Sequence, residues 1–353
     1  MQTRLPFLLM LTVAAAPAAA QDPHDRDPRL VIREQVRDVI RGPAGGARAY
    51  QGRDRGPEQT ERFSKKVKLG RDGRFTIENI AGNITITGGS GDEVSIDAVK
   101  RTRGPAGELG SVKITVDERP GRVDVRTDHT ARNDRVSVDY TVTVPASAAV
   151  DAKSVSGNVK VTGVQGVVRQ ETISGSITSA QTPKLEVVKS VSGDVDLTDA
   201  NADSDLNATS ISGIIRARGL KVRSLEVGTV SGDVLLSDVA CSRLGIRSVS
   251  GNLEYSGALA KSGRYNMNTH SGTVRLTLTS DTGFELDANS FSGSIRSDFP
   301  VTLGGSSSGS ATSDRNGRRR VAGPGRATHA VFGDGSAALT IRTFSGNIVI
   351  AKR

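Results

Sequence analysis

The 353 residues hold 47 Lys and Arg against 38 Asp and Glu, 40 Gly, one Cys, no Trp and only 3% aromatic residues. So few large side chains exclude an ordinary compact globule of this length, whose interior needs aromatics to fill it, and one cysteine excludes an internal disulfide framework. The basic balance (net charge +9, pI ≈ 9.9) falls mainly late in the chain: residues 145–300 carry 15 Lys and Arg against 16 Asp and Glu, residues 301–353 carry 8 against 2.

Residues 1–20 read as a secretory signal: Arg4 supplies the positive start, residues 5–13 the apolar run, and Ala18, Ala19 and Ala20 the small-residue cleavage site. That run is too short to span a bilayer and no later stretch is long enough, so no transmembrane segment is expected. The signal predicts export, to the periplasm or to the extracellular cell surface. Residues 21–60, rich in Arg, Asp, Gly and Pro, predict a disordered, flexible tether, with one short amphipathic turn around Leu30, Val36, Val39 and Ile40.

Residues 61–150 predict a β-rich N-terminal cap and a first coil. Alternating apolar residues place strands at 65–69, 74–78, 83–87, 93–100, 111–118, 121–127 and 135–144. The piece from about 90 to 144 reads as an antiparallel insertion that covers the end of a stack.

Residues 151–300 repeat one unit. Its turn glycines are Gly157, Gly175, Gly193, Gly213, Gly232, Gly251, Gly272 and Gly293, spaced 18, 18, 20, 19, 19, 21 and 21 apart, with outlying copies at Gly82 and Gly346. A tandem period near twenty is the mark of a solenoid. Two residues after each glycine the side chain is Ile, Val or Leu (Ile84, Val159, Ile177, Val195, Ile215, Val234, Leu253, Val274, Ile295, Ile348), and seven before it is apolar except at Glu186. Alternation on both sides of the glycine gives two short strands with one buried face. Three before it stands a hydroxyl, except at Asn79; two before it an apolar residue (Ile80, Val155, Ile173, Val191, Ile211, Val230, Val249, Phe291, Phe344), except at His270. Both of these neighbours are read as pointing inward at a corner, which makes His270 a partly buried structural histidine. The glycine takes the next turn, where positive φ is needed. The expected fold is all-β, a right-handed parallel β-helix, or β-solenoid, with coils of 18–21 residues.

Residues 301–353 predict a Gly/Ser/Arg-rich insertion at 304–327, read as a solvated loop, and a terminal coil. Arg315, Arg318, Arg319 and Arg320 are candidates for contact with an anionic surface. No aromatics interleave with them, so nucleic acid is not an expected partner.

No constellation for catalysis, cofactor or metal emerges. His24, His129, His270 and His329 lack ligand spacing to one another, and no serine sits in a nucleophile elbow. Asp194 and Asp196 share a strand face, the beginning of a carboxylate pair of the kind glycoside hydrolysis uses, but no third group joins them. Cys241 reads as a small buried filler.

The unit hydroxyl, apolar, Ser, Gly, Asp/Asn/Ser, apolar, any, apolar, seen at 154–161, 190–197, 229–236 and 343–350, resembles the DUF4097 family of bacterial β-strand-repeat proteins. The resemblance covers about 75–353 and implies an envelope or extracellular β-solenoid, often described as a candidate adhesin, with no established catalytic residues. The expected function is that of an exported, non-enzymatic cell-envelope or surface scaffold that binds an envelope polymer, glycan or protein. Two other readings stand beside it: a carbohydrate-active β-helix enzyme, and a sensor or regulatory partner in envelope stress.

Overall fold

The computed structural model describes residues 57–353 apart from 131–134, 201–203, 280–281, 301, 304–309, 314–318 and 323–325. The expected signal, and the tether up to residue 56, lie outside the described residues.

One coil shows how the sequence builds the whole. In Ala149–Ser156 alternate residues Val150, Ala152 and Ser154 turn inward; after Gly157, the strand Val159–Thr162 buries Val159 and Val161. The next coil lies parallel on it, position over position: Val168 pairs with Val150, Thr172 with Ser154, Ile177 with Val159. Each inward side chain therefore stacks on its own counterpart, and the layers seal one continuous core. Among the described residues the strands form a 15-stranded and a 14-stranded sheet, one on each side of the glycine turn. The solenoid and its coil period thus stand as the spacing predicted.

A third buried row closes five successive coils: Val164, Thr182, Ala200, Leu220 and Val239. The residue before it is left-handed, at φ 71° for Gly163, 54° for Gln181, 53° for Asp199, 64° for Gly219 and 52° for Asp238. This corner has no single residue type, so it leaves little trace in the sequence. The exception at Glu186 is a bulge: the register shifts after Val168, which pairs with Leu185, and Leu185 fills the core in place of Glu186.

Both ends depart from simple stacking. The strands predicted at 61–150 appear within a few residues of their expected bounds, except that the first, expected at 65–69, is Gln59–Lys68. The insertion, however, is not antiparallel throughout. Arg122–His129 and Ser137–Pro145 run parallel to the Gly82 coil, with Val123 and Val125 beside Phe75 and Ile77, and Tyr140 and Val142 beside Ile84 and Ile86. They form a further coil without the turn glycine, because their inward residues match the core rows. Only the outer layer is antiparallel: Gln59–Lys68, Glu93–Thr102 and Val112–Arg119.

At the other end the coils are out of sequence order. The Gly346 coil, Ala337–Ser345 and Ile348–Lys352, lies between the Gly272 and Gly293 coils. The insertion is not simply a loop. Its described parts include the strands Ser310–Ser313 and Arg319–Ala322, which pair with each other, and the second pairs antiparallel with Ile295–Ser297. Phe284, Phe299 and Phe332 close the core here, with ring centroids 4.8–5.4 Å apart.

The Gly175 coil has a polar interior. Ser179 and Thr182 are buried and bond each other at 2.9 Å. Gln170 is fully buried, and its amide finds no partner among the described residues. An unpaired buried amide costs about 1–3 kcal/mol. Gln170→Met, which keeps the volume, should raise the denaturant midpoint at unchanged m-value, by about 1–3 kcal/mol of stability.

Candidate binding surface

The feature that sequence reasoning misplaced lies two residues before each glycine. Ile80, Val155, Ile173, Val191, Ile211, Val230, Val249, Phe344 and Phe291 do not enter the core; they are exposed, from 40% at Ile80 to 56% at Phe291. The strand keeps its alternation to the end, so the hydroxyl three before the glycine points in and the apolar residue after it points out. His270 takes the tenth place and is likewise exposed, not partly buried.

The inward hydroxyl explains the exchange. At this bend the core has room for a small side chain, and three of these hydroxyls reach the turn of the neighbouring coil, while those of Ser154, Ser190, Thr229, Ser248 and Thr343 find no partner among the described residues. Ser290 Oγ donates to the Gly346 carbonyl at 3.0 Å, and Thr172 and Ser210 approach the carbonyls of Gly157 and Gly193 at 3.4 Å. The apolar residue beside it faces solvent on nine layers, and His270 does so on the tenth.

Parallel stacking turns these side chains into one row. At about 4.8 Å per strand, ten coils span roughly 40 Å. Near its C-terminal end the row is aromatic: Phe344 stacks on His270 at 4.9 Å and on Phe291 at 4.8 Å, with planes within 6° and 7° of parallel. Nine exposed serines, Ser156 to Ser345, border one side. The other side is bordered at its N-terminal half by Glu78, Lys153, Glu171 and Lys189. There a groove of about 580 Å³ runs along Ile80, Val155, Ile173 and Val191, closed at one end by Arg126, Thr127 and Asp128. Its charges pair along the wall, Arg126 with Glu78 at 3.5 Å and Lys189 with Glu171 at 3.8 Å.

The turn glycines stack on one another beside this row. At Gly193 φ is 144°, and a Cβ would overlap the Gly175 carbonyl. Gly82, Gly157, Gly175, Gly213, Gly232, Gly251, Gly272 and Gly346 have φ from 107° to 158°. Gly293 lies outside that range, yet a Cβ there would overlap Gly346.

The residue after the glycine clamps successive turns. The Asn158 backbone N–H donates to Asn83 Oδ1 at 3.0 Å, Ser176 to Asn158 at 2.9 Å, Ile214 to Asp194 at 2.9 Å and Asn252 to Asp233 at 2.7 Å. Asp194 is therefore a turn clamp. Arg216 Nη1 lies 3.0 Å from Asp194 and 3.7 Å from Asp196, so one guanidinium binds both carboxylates. The Ile214 N–H first, and Arg216 second, hold the Asp194 carboxyl below the usual aspartate range, the opposite of what a general acid needs. Its contribution to stability is present above about pH 4, the unfolded value, and is lost as pH falls through the lowered folded value. Asp194→Ala should cost about 1 kcal/mol at neutral pH, and the gap from the parent should close in acid melts.

Of the basic candidates, Arg315 and Arg318 lie outside the described residues, while Arg319 and Arg320 fall in the strand Arg319–Ala322. Among the described residues, no three His, Cys, Asp or Glu side chains lie close enough to hold a metal ion. Cys241 is buried, and burial pushes its thiol up to about 12. No helix among the described residues is long and apolar enough to cross a membrane.

Some solved structures resemble the chain distantly. A candidate adhesin from Bacteroides fragilis shares 11% identity over 82% of this chain and 97% of its own, with a TM-score of 0.40. A candidate adhesin from Parabacteroides distasonis shares 11% over 82% and 97%, at 0.38, and a candidate cell-adhesion protein from Clostridium sporogenes 9% over 84% and 100%, at 0.22. No curated protein matches the chain. The model of one family, described as Toastrack DUF4097, matches residues 73–322, most of the stack with its glycine turns, and the chain belongs to that family.

Proposed function

We propose that this protein is an exported, non-enzymatic scaffold of the cell envelope or cell surface, and that it binds a macromolecular partner along its outward apolar row. One observation carries the reading: every one of the nine large apolar side chains exposed among the described residues stands in that row. Exposed apolar side chains scattered singly need no explanation, but a contiguous strip of this length marks an interaction site. Export rests on Arg4, the apolar residues 5–13 and Ala18 to Ala20. Arg315, Arg318, Arg319 and Arg320 add a second, salt-sensitive contact to phosphate-bearing envelope polymer.

The test is co-sedimentation of the purified protein with envelope fractions. Ile173→Asp with Val191→Asp should abolish the binding, and deletion of 304–327 should weaken it most at low salt. Equal binding by parent and double variant would defeat the reading. The groove beside Ile80 to Val191 favours a second reading, a polysaccharide-cleaving site, since it gathers Glu78, Glu171, Lys153 and Lys189. Turnover on an acidic polysaccharide panel that disappears in Glu171→Gln would establish it.

A further inference from the structure

We infer that the outward apolar row is the face through which two copies of this chain associate, side by side, about a two-fold axis parallel to the stack. This rests on the reading of the row as a binding surface and names what covers it.

The first argument is area. Nine side chains, each about half exposed, present on the order of 700–900 Å² of mostly apolar surface, which is about the share of each partner in a standard interface of ≈ 800 Å² per side. None of the ten positions carries an acidic or a Lys or Arg side chain, and depletion of charge at the centre is what sets interface cores apart from ordinary surface.

The second argument is pitch. The row repeats at the strand spacing, seen directly in the 4.8 and 4.9 Å aromatic stacks. A surface of side chains at that repeat is filled best by another at the same repeat, as paired sheets interdigitate in dry zippers. A second copy of this chain offers that repeat over the whole length of the row.

The third argument is charge around the rim. A two-fold axis along the stack sets each coil against its own counterpart. It also lays the bordering charges of one copy, Glu78, Lys153, Glu171 and Lys189, over the serines of the other, Ser156, Ser174 and Ser192 among them. Like charges do not meet. The N-terminal end of the stack, by contrast, is guarded. The edge strand Gln59–Lys68 carries Glu61, Arg62, Lys65, Lys66 and Lys68, and the edge strand Val112–Arg119 carries Lys113, Asp117, Glu118 and Arg119. Charged edges oppose strand addition at that end, while the edge strands at the other end, Thr302–Leu303 and Ser310–Ser313, carry no charge.

Sedimentation equilibrium on the full chain at micromolar concentration tests this. The parent should give the mass of two copies. Val191→Asp with Ile211→Asp should give the mass of one, a loss of affinity of at least 100-fold, with the β-sheet circular dichroism of the parent and a melting temperature lowered only by the loss of pairing. Val155→Cys, near one end of the row, should form a covalent pair on mild oxidation, because only the parallel arrangement brings Val155 to its own counterpart; the native Cys241 is buried and stays out of the reaction. A one-copy mass for the parent at a hundredfold higher concentration, or a two-copy mass for the double variant, overturns the inference. A two-copy parent with no Val155→Cys crosslink overturns the parallel arrangement. Envelope co-sedimentation separates the two levels: a one-copy parent whose envelope binding still depends on Ile173 and Val191 overturns the pairing alone, and loss of that dependence removes the binding surface as well.

Discussion

Val195→Asp should unfold the solenoid at ambient temperature or nearly so, while Val191→Asp, four residues earlier in the same coil, should leave its stability within about 0.5 kcal/mol of the parent. The two valines differ only in which way the strand turns them. Val195 is fully buried, stacked between Ile177 and Ile215 in the neighbouring coils. A carboxylate there has no partner and no water, and replaces the packing of three layers with an unpaired charge; the cost exceeds about 4 kcal/mol. Val191 is 41% exposed. Thermal melts of the two variants side by side measure the difference. Equal losses would mean that the row is not at the surface.

The second large effect is expected at the turn. Gly193→Ala should lower stability by about 2–6 kcal/mol, combining 1–3 kcal/mol of backbone strain at φ 144° with a similar cost for forcing a methyl into the Gly175 carbonyl. The carbonyl belongs to the next layer and cannot move without opening the clamp between coils. The damage should therefore reach the neighbours, because each layer is held chiefly by those above and below it. Hydrogen exchange should show protection lost in both adjoining coils, from Val167–Ser174 to Asp205–Ser212. Gly110, whose added Cβ would meet nothing, is the control and should tolerate alanine.

Much of this architecture was legible in the sequence because a solenoid writes its period twenty residues at a time. Val195, Val234 and Val274 stand in the core at the positions the alternation gives them. The outward row was missed for a physical reason. Hydrophobicity alone places Val191 inside, and a hydroxyl beside it gives no sign that the smaller polar group takes the interior. The signal was the strict alternation itself: counting by twos from Val188 reaches Ser190, not Val191. The out-of-order coils could not be read at all. Gly346 repeats the same motif as Gly293, and nothing in either copy says which neighbour it will choose. The choice depends on antiparallel strands that cover the Gly293 coil and leave it no second free face.

That interleaving has a consequence for assembly. A chain made from its N-terminus can lay down the glycine-turn layers from Gly82 to Gly272 in the order of their synthesis, with the 122–145 coil added on the outer side of Gly82, but past Gly272 the order breaks. The Gly293 coil, although made earlier, must wait in solution for the segment that will separate it from Gly272. The Gly346 segment is thus a keystone, and until it is supplied the growing stack ends in an open face.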